Sequence, residues 1–316
     1  MRKVGIVGLG KLGLPLALVF CKARIEVKGI DTNAERIDEI EVGGGFPEPE
    51  LDKYLARYRN HLEVSTDYNT LKDVPVVFIF VQTPSAESGK FDTSYVESAV
   101  RKVHDVNTRA LIAVSSTINI GDIDRLRKMH GKICYNPEFV AQGKIIKDFE
   151  NPKFVLIGAH RREYGRQIAN IWRKIHNKPI YIVKPIEAEV IKVSLNFSYS
   201  LGITFANMIG ELCEKFNADS SKVLDIVYKD RRNYRKGLGF MGPCFPRDVK
   251  CFKAISLENS IVSGQRFSNL LNELNSRVVE RYLRKIKSFG RKKIGILGVA
   301  YKPKVPYVYE SQPLEL

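Results

Sequence analysis

The chain has 316 residues and a mass of 35.9 kDa, with 44% hydrophobic and 27% charged residues; that excludes a disordered polymer and leaves room for two ordinary domains. No run of eighteen apolar residues argues for a membrane span, and the apolar start is too short and broken for a signal peptide, so the expected compartment is the cytoplasm. The formal net charge is +16, almost all of it in the second half: residues 1–159 hold 22 Lys+Arg against 21 Asp+Glu, and residues 160–316 hold 29 against 14, a field that favours an anionic partner.

Residues 3–7 (KVGIV) read as a strand that runs into Gly8-Leu9-Gly10-Lys11-Leu12-Gly13 and then into a helical pattern. A second strand, residues 25–30, ends at Asp31, 18 residues after Gly13. Strand, GxGxxG, helix, strand and acid is the order that a dinucleotide site requires. Gly8 permits the turn, Gly10 lets the backbone approach a pyrophosphate, and Gly13 lets the helix pack on the strand. Asp31 would accept hydrogen bonds from a ribose 2′-hydroxyl and repel a 2′-phosphate, which points to NAD over NADP.

Further strands are predicted at residues 74–81, 111–114, 132–135 and 154–157, with helices near 95–106 and 122–129. This alternation implies a doubly wound α/β fold with a parallel sheet. Ligands of such sheets bind at the carboxyl ends of the strands. Thr83 and Pro84 of one loop there, and Ser116 and Thr117 of another, are therefore candidates for cofactor contacts. Glu138, after the strand 132–135, is a candidate base if partly buried.

Residues 187–216 have helical periodicity without proline. Glu189, Lys192 and Asn196 fall on one face of that helix. A lysine beside an apolar stripe needs a partner, and Glu189 is the nearest by spacing. Then comes GLGFMGPCFPRD, residues 237–248, whose three glycines and two prolines frame Cys244. Arg247 would lower the thiol pKa and favour a nucleophile. Five scattered cysteines without any CxxC argue against a disulfide framework and a zinc site, and no metal is expected.

Together these segments resemble the UDP-glucose/GDP-mannose dehydrogenase family, the nucleotide-sugar 6-dehydrogenases. The likeness rests on GLGKLG with Asp31, VQTPS, SST, NPEFVAQG, AEVIKVSLN, GLGFMGPCFPRD and KKIGILGVAYKP, in the family order. It implies NAD-dependent, two-step oxidation of a sugar C6 alcohol to the uronic acid through a cysteine thiohemiacetal and thioester. It assigns Cys244 as nucleophile, Lys192 and Asn196 to the oxyanion, Asp248 and Thr117 to a water and proton transfer, and Glu138 as base. It places Gly8, Gly10, Lys11, Leu12, Gly13, Asp31, Thr83, Pro84, Ser116 and Thr117 against NAD. It places Phe139, Val140, Ala141, Gln142, Gly143, Arg231, Arg232, Phe240 and Gly242 against the nucleotide sugar, with Lys192 and Asn196.

By the same likeness, residues 1–184 are a Rossmann-like NAD domain. Residues 185–290 are a central all-helical domain that forms a homodimer through the long helix. Residues 291–316 start a truncated third domain with a strand at 293–299. The chain departs from the family in KVPYVYES near its end and in Arg247, where lysine is usual. Two other readings stay open: a catalytically impaired paralogue that binds NAD or sugar nucleotide, and a 6-phosphogluconate or 3-hydroxyisobutyrate type of hydroxyacid dehydrogenase. No nucleic-acid-binding motif accompanies the basic charge.

Overall fold

The computed structural model describes residues 3–229, 237–290, 293–301 and 305–316. The chain divides into two compact units, Met1–Ala86 with Phe91–Lys192, and Glu87–Lys90 with Val193–Leu316.

In the first unit strands and helices alternate: β1 (Lys3–Val7), α1 (Gly13–Lys22), β2 (Glu26–Ile30), α2 (Ala34–Glu41), α3 (Leu51–Tyr58), β3 (Leu62–Ser65), β4 (Val76–Ile79), α4 (Ser94–Val106), β5 (Leu111–Val114), α5 (Asp122–Arg127), β6 (Ile133–Tyr135), α6 (Ile145–Glu150), β7 (Val155–Ala159), α7 (Arg162–Trp172) and β8 (Ile180–Val183). The strands form one sheet in the order β3-β2-β1-β4-β5-β6-β7-β8. Alternate residues of each strand face opposite sides. Val76 and Phe78 therefore enter one apolar cluster, with Phe20 and Trp172, while Val77 and Ile79 enter another, with Val100 and Leu126. Both faces are covered, as a parallel sheet requires.

The sheet is not parallel throughout, because β6 and β7 pair antiparallel. Helix α6 has six residues, about 9 Å of rise, too short to carry the chain back to the opposite edge. So β7 sets out from the edge where β6 ends. Order reverses at β1, which lies between β2 and β4. That switch point is where open α/β sheets bind ligands.

The long helix α8 (Pro185–Lys215) starts in the first unit and continues into the second. The second unit also holds α9 (Ser220–Val227), α10 (Phe245–Glu258), α11 (Val262–Ser288) and α12 (Gln312–Glu315). Phe197, Phe240, Val249 and Leu271 form its core, with Phe197 stacked on Phe252 at 4.2 Å between ring centroids.

The strand expected at 293–299 does not form. A strand needs a neighbour for its backbone hydrogen bonds, and among the described residues none pairs with it; Leu297 is fully exposed. The chain beyond it is held by side-chain contacts: the Ser311 hydroxyl donates to the Val299 carbonyl at 2.5 Å, and Lys250 pairs with Glu310 at 2.9 Å.

Candidate active site

The glycine loop after β1 is shaped by contacts of its own unit. Gly8 has φ +93°, and a Cβ there would sit 2.4 Å from the Phe80 carbonyl oxygen. A Cβ on Gly13 would sit 1.8 Å from the Gly8 carbonyl oxygen. Gly10 differs, because a Cβ there would meet no atom within 4 Å. Packing does not explain its bareness, but close approach of a phosphate does. No side chain caps the N-terminus of α1, so its positive end is open to an anion. Lys11 and Leu12 are half-buried beside it.

Asp31 ends β2. Its Oδ2 accepts from the Leu9 backbone N–H at 2.8 Å and its Oδ1 from the Asn33 N–H at 3.0 Å. Lone pairs remain on both oxygens for a ribose diol. Arg36, not foreseen from the motif, belongs to the same site. Its Nε donates to the Leu9 carbonyl at 3.1 Å, its guanidinium lies 5.3 Å from the Phe46 ring centroid, and its Nη2 is buried with no hydrogen-bond partner. An orphaned donor beside an open glycine loop is what a bound dinucleotide would satisfy. The residues present thus fit NAD. Arg36 stands five residues after Asp31, and that spacing was the available signal.

The loops after β4 and β5 reach the same edge of the sheet. Thr83 is buried and Pro84 exposed. The Ser116 hydroxyl donates to the Val81 carbonyl at 2.6 Å, tying the two loops together. Thr117 is half-buried, and Ser115 Oγ is buried without a hydrogen-bond partner.

After β6 the chain enters the loop that holds Glu138, Phe139, Val140, Ala141, Gln142 and Gly143. Asn136 is a structural node: its amide donates to the Leu156 carbonyl at 3.0 Å and its oxygen accepts from Trp172 Nε1 at 2.9 Å. Glu138 is half-buried as a residue, but its Oε1 is shut off from water and has no hydrogen-bond partner. Burial pushes the carboxyl up to about 8, against the opposing pull of Lys192. Lys192 donates to the Glu138 carbonyl at 2.5 Å and lies 4.8 Å from the Phe139 ring centroid.

Glu189 has another task than partnering that lysine. Its two oxygens accept from the backbone N–H groups of Gly121 and Ile123 at 2.7 and 2.8 Å. It thereby fixes the start of α5 to α8, and burial raises its carboxyl to about 7. A second carboxylate escaped the sequence reading altogether. Glu48 is buried, and its oxygens accept from Gly143 and Ile145 N–H, both at 2.8 Å. Asp148 accepts from Ala141 N–H at 2.9 Å. The loop 139–145 thus hangs on two carboxylates, one of them 95 residues earlier in the chain. Nothing local in the sequence marks that pairing.

The cysteine loop belongs to the second unit. Cys244 is exposed and the other four cysteines are buried thiols. It occupies the N-cap position of α10, at the end of the helix that favours negative charge. Its carbonyl accepts from the Asp248 N–H at 2.8 Å. Asp248 is fully buried and accepts from Asn196 Nδ2 at 2.5 Å and from Arg247 Nε at 3.3 Å. Arg247, expected to act on the thiol, also reaches Asp248 through its Nε. Phe240 lies in the core of the second unit, where its ring packs with Phe197, Val249 and Leu271. Asn275 brackets it, accepting from the Phe240 N–H at 2.8 Å and donating to the Phe240 carbonyl at 3.0 Å. Gln312 accepts from the Gly239 N–H at 2.7 Å. Gly242 has φ +89° and donates to the Tyr309 carbonyl at 3.0 Å. Arg231 and Arg232 lie outside the described residues.

Residues 2–176 match the NAD binding domain of the UDP-glucose/GDP-mannose dehydrogenase family, and residues 186–277 match its central domain. The GDP-mannose 6-dehydrogenase of Pseudomonas aeruginosa is 30% identical over 99% of this chain and 77% of its own length. A UDP-glucose 6-dehydrogenase of Haloferax volcanii is 26% identical over 99% of this chain and 79% of its own. The structure of a UDP-glucose dehydrogenase from the archaeon Pyrobaculum islandicum superposes with a TM-score of 0.90 at 27% identity, covering 100% of this chain and 78% of that one.

Proposed function

The chain belongs to the UDP-glucose/GDP-mannose dehydrogenase family and is an NAD-dependent oxidoreductase of nucleotide sugars, and from that premise we propose that it oxidises the C6 alcohol of a UDP-glucose-like nucleotide sugar to the uronic acid through Cys244. The observation that carries this reading is the turn of Cys244, held from beneath by buried Asp248 and its partner Asn196.

The glycine loop, Asp31 and Arg36 would hold NAD, which would supply the hydride acceptor for each of two oxidations. In the first oxidation a hydride leaves C6, the hydroxyl proton passes to the water that Asp248 and Thr117 hold, and an aldehyde is left. The Cys244 thiolate adds to that carbon, and the former carbonyl oxygen takes a proton to give a thiohemiacetal. Lys192 and Asn196 donate to the oxygen while it is negative. The second oxidation leaves a thioester. Water then attacks, the carbon–sulfur bond breaks, and the thiolate leaves. Glu138 takes the proton from that water, and its raised carboxyl is a base poised near neutral pH. Asp248 and Thr117 hold the water. Phe139, Val140, Ala141, Gln142 and Gly143 line the nucleotide sugar, in a shape set by Glu48 and Asp148.

We also propose that copies associate through the second unit. Exposed Phe205, Ile226 and Val227 support this, since large apolar side chains left on a surface favour burial against a partner. Light scattering would find a dimer, and a monomer at micromolar concentration would refute it.

The test of the reaction is a panel of UDP-glucose, UDP-N-acetylhexosamines and GDP-mannose with NAD. Two NADH per sugar consumed, with the uronic acid as product, is expected for one of them. Absence of turnover with all of them would sink the reading.

A further inference from the structure

Residues 160–184 hold a dense run of Lys and Arg against a single acid, Glu163. This is a concentrated part of the basic excess, and neither the dinucleotide site nor the cysteine chemistry draws on it. In the first unit these residues line a cleft of about 660 Å³, bounded by α7, β8 and the first turn of α8. Arg162, Arg166 and Arg173 are spaced four and eleven residues apart, which puts them within about 40° of one another around the helix axis. Lys184 closes the cleft, and Ala159, Ile180, Ile182 and Val183 give it an apolar floor.

The charges of this cleft are poorly balanced. Among the described residues no carboxylate pairs with Arg162, Arg166, Arg173 or Lys184. Arg173 donates only to the neutral Asn170 amide, at 3.2 Å. His160 at the rim is taken by Asp124 at 2.7 Å. The one carboxylate in the lining, Glu187, accepts from the Lys184 backbone N–H at 2.8 Å. Four permanent cations thus face a single anion.

The cleft is also separate from the cofactor site. β8 is the terminal strand, five positions from β1 and its glycine loop, about 24 Å at the usual strand spacing.

We propose that this cleft is a second anion-binding site, which takes a small molecule with at least two phosphates and an apolar or aromatic body. Guanidinium forks match phosphate oxygens two at a time, and the apolar floor takes the rest of the ligand. The volume is that of a nucleotide-sized ligand site, and a surplus of three positive charges matches a di- or triphosphate.

The test uses the full chain saturated with NAD, so that the glycine loop is filled, and titrates inorganic tripolyphosphate by calorimetry. One saturable site per chain is expected. The double variant Arg166→Glu/Arg173→Glu weakens it at least tenfold and leaves NAD affinity and turnover unchanged. Arg166→Lys/Arg173→Lys keeps the charge but loses the forks, weakens binding by a smaller factor, and reads the site if the charge-reversed protein fails to fold. Equal affinity in all three proteins, or no saturable binding, overturns the proposal. So does charge-dependent binding of a single-stranded RNA or of phosphatidylserine vesicles without saturable tripolyphosphate binding, which would make this face a macromolecular one.

Discussion

Two glycine-rich loops carry the proposed chemistry, and they are built in opposite ways. The loop of Gly8 to Gly13 is shaped mostly by main chain: the carbonyls of Phe80 and Gly8, with the Asp31 carboxylate on the Leu9 N–H. The loop of Gly237 to Asp248 is shaped mostly by side chains. A Cβ on Gly239 would sit 2.0 Å from Asn275 Oδ1, and one on Gly242 would sit 2.5 Å from the Tyr301 ring. Gln312 and Tyr309, near the chain's end, hold its backbone. A site for a bound dinucleotide can be made largely of main chain, because the backbone itself is the ligand-binding group. A nucleophile must be aimed as well as exposed, and aiming takes side chains from several elements.

The sharpest way to break this comparison is at Cys244. Cys244→Ser should lower acid formation by at least about a thousandfold, with NAD affinity unchanged. Acid production at the native rate, followed by mass spectrometry, would remove the second loop from the chemistry.

Glu138→Gln comes next, with an expected loss of about a hundredfold in acid formation. In the native protein the rate should climb as pH rises through about 8, where the carboxyl ionises; a flat profile between pH 7 and 9 would exclude Glu138 as the base. Stability runs the other way. The folded carboxyl titrates above its unfolded value, so its contribution is complete below the ordinary carboxylate range and is lost as pH rises to about 8. The glutamine variant should lose that slope in thermal melts across pH 4 to 9.

The first loop is sharpened by two glycines that look alike in sequence. Gly10→Val should weaken NAD about tenfold or more and leave the melting temperature nearly unchanged, because its Cβ has open space. Gly13→Ala should cost more than about 3 kcal/mol of stability, because its Cβ meets backbone. Equal melting temperatures for the two would contradict the division of labour between them.

The smallest effect is expected at Asn275, which no sequence motif contains. Asn275→Ala removes both hydrogen bonds to Phe240 and should cost about 1–3 kcal/mol. Turnover should fall more than the affinity for NAD. An unchanged turnover number would show that the cysteine loop holds its shape without this bracket.

Much of the first unit was legible because its signals are local. Alternating apolar strands, a helix pattern and the GxGxxG–Asp31 spacing all lie within single turns and strands of one another. The C-terminal strand misled for the same reason. An apolar run of β-branched and small residues has the local look of a strand, yet a strand exists only with a partner, and residues 293–299 have none among those described. Helix spacing put Glu189 and Lys192 on one face, but could not say that the Glu189 carboxylate takes the Gly121 and Ile123 amides.

The amino-acid sequence by itself determined the doubly wound sheet and the dinucleotide loop, because periodicity, glycine placement and turn chemistry act over a few residues. Only the tertiary structure decided that Glu48 holds the loop after β6, that Asn275 and Gln312 shape the cysteine turn, and that Glu138 titrates near 8. Each depends on groups far apart in the chain, and the strength of a charge or hydrogen bond is set by the water that folding removes around it.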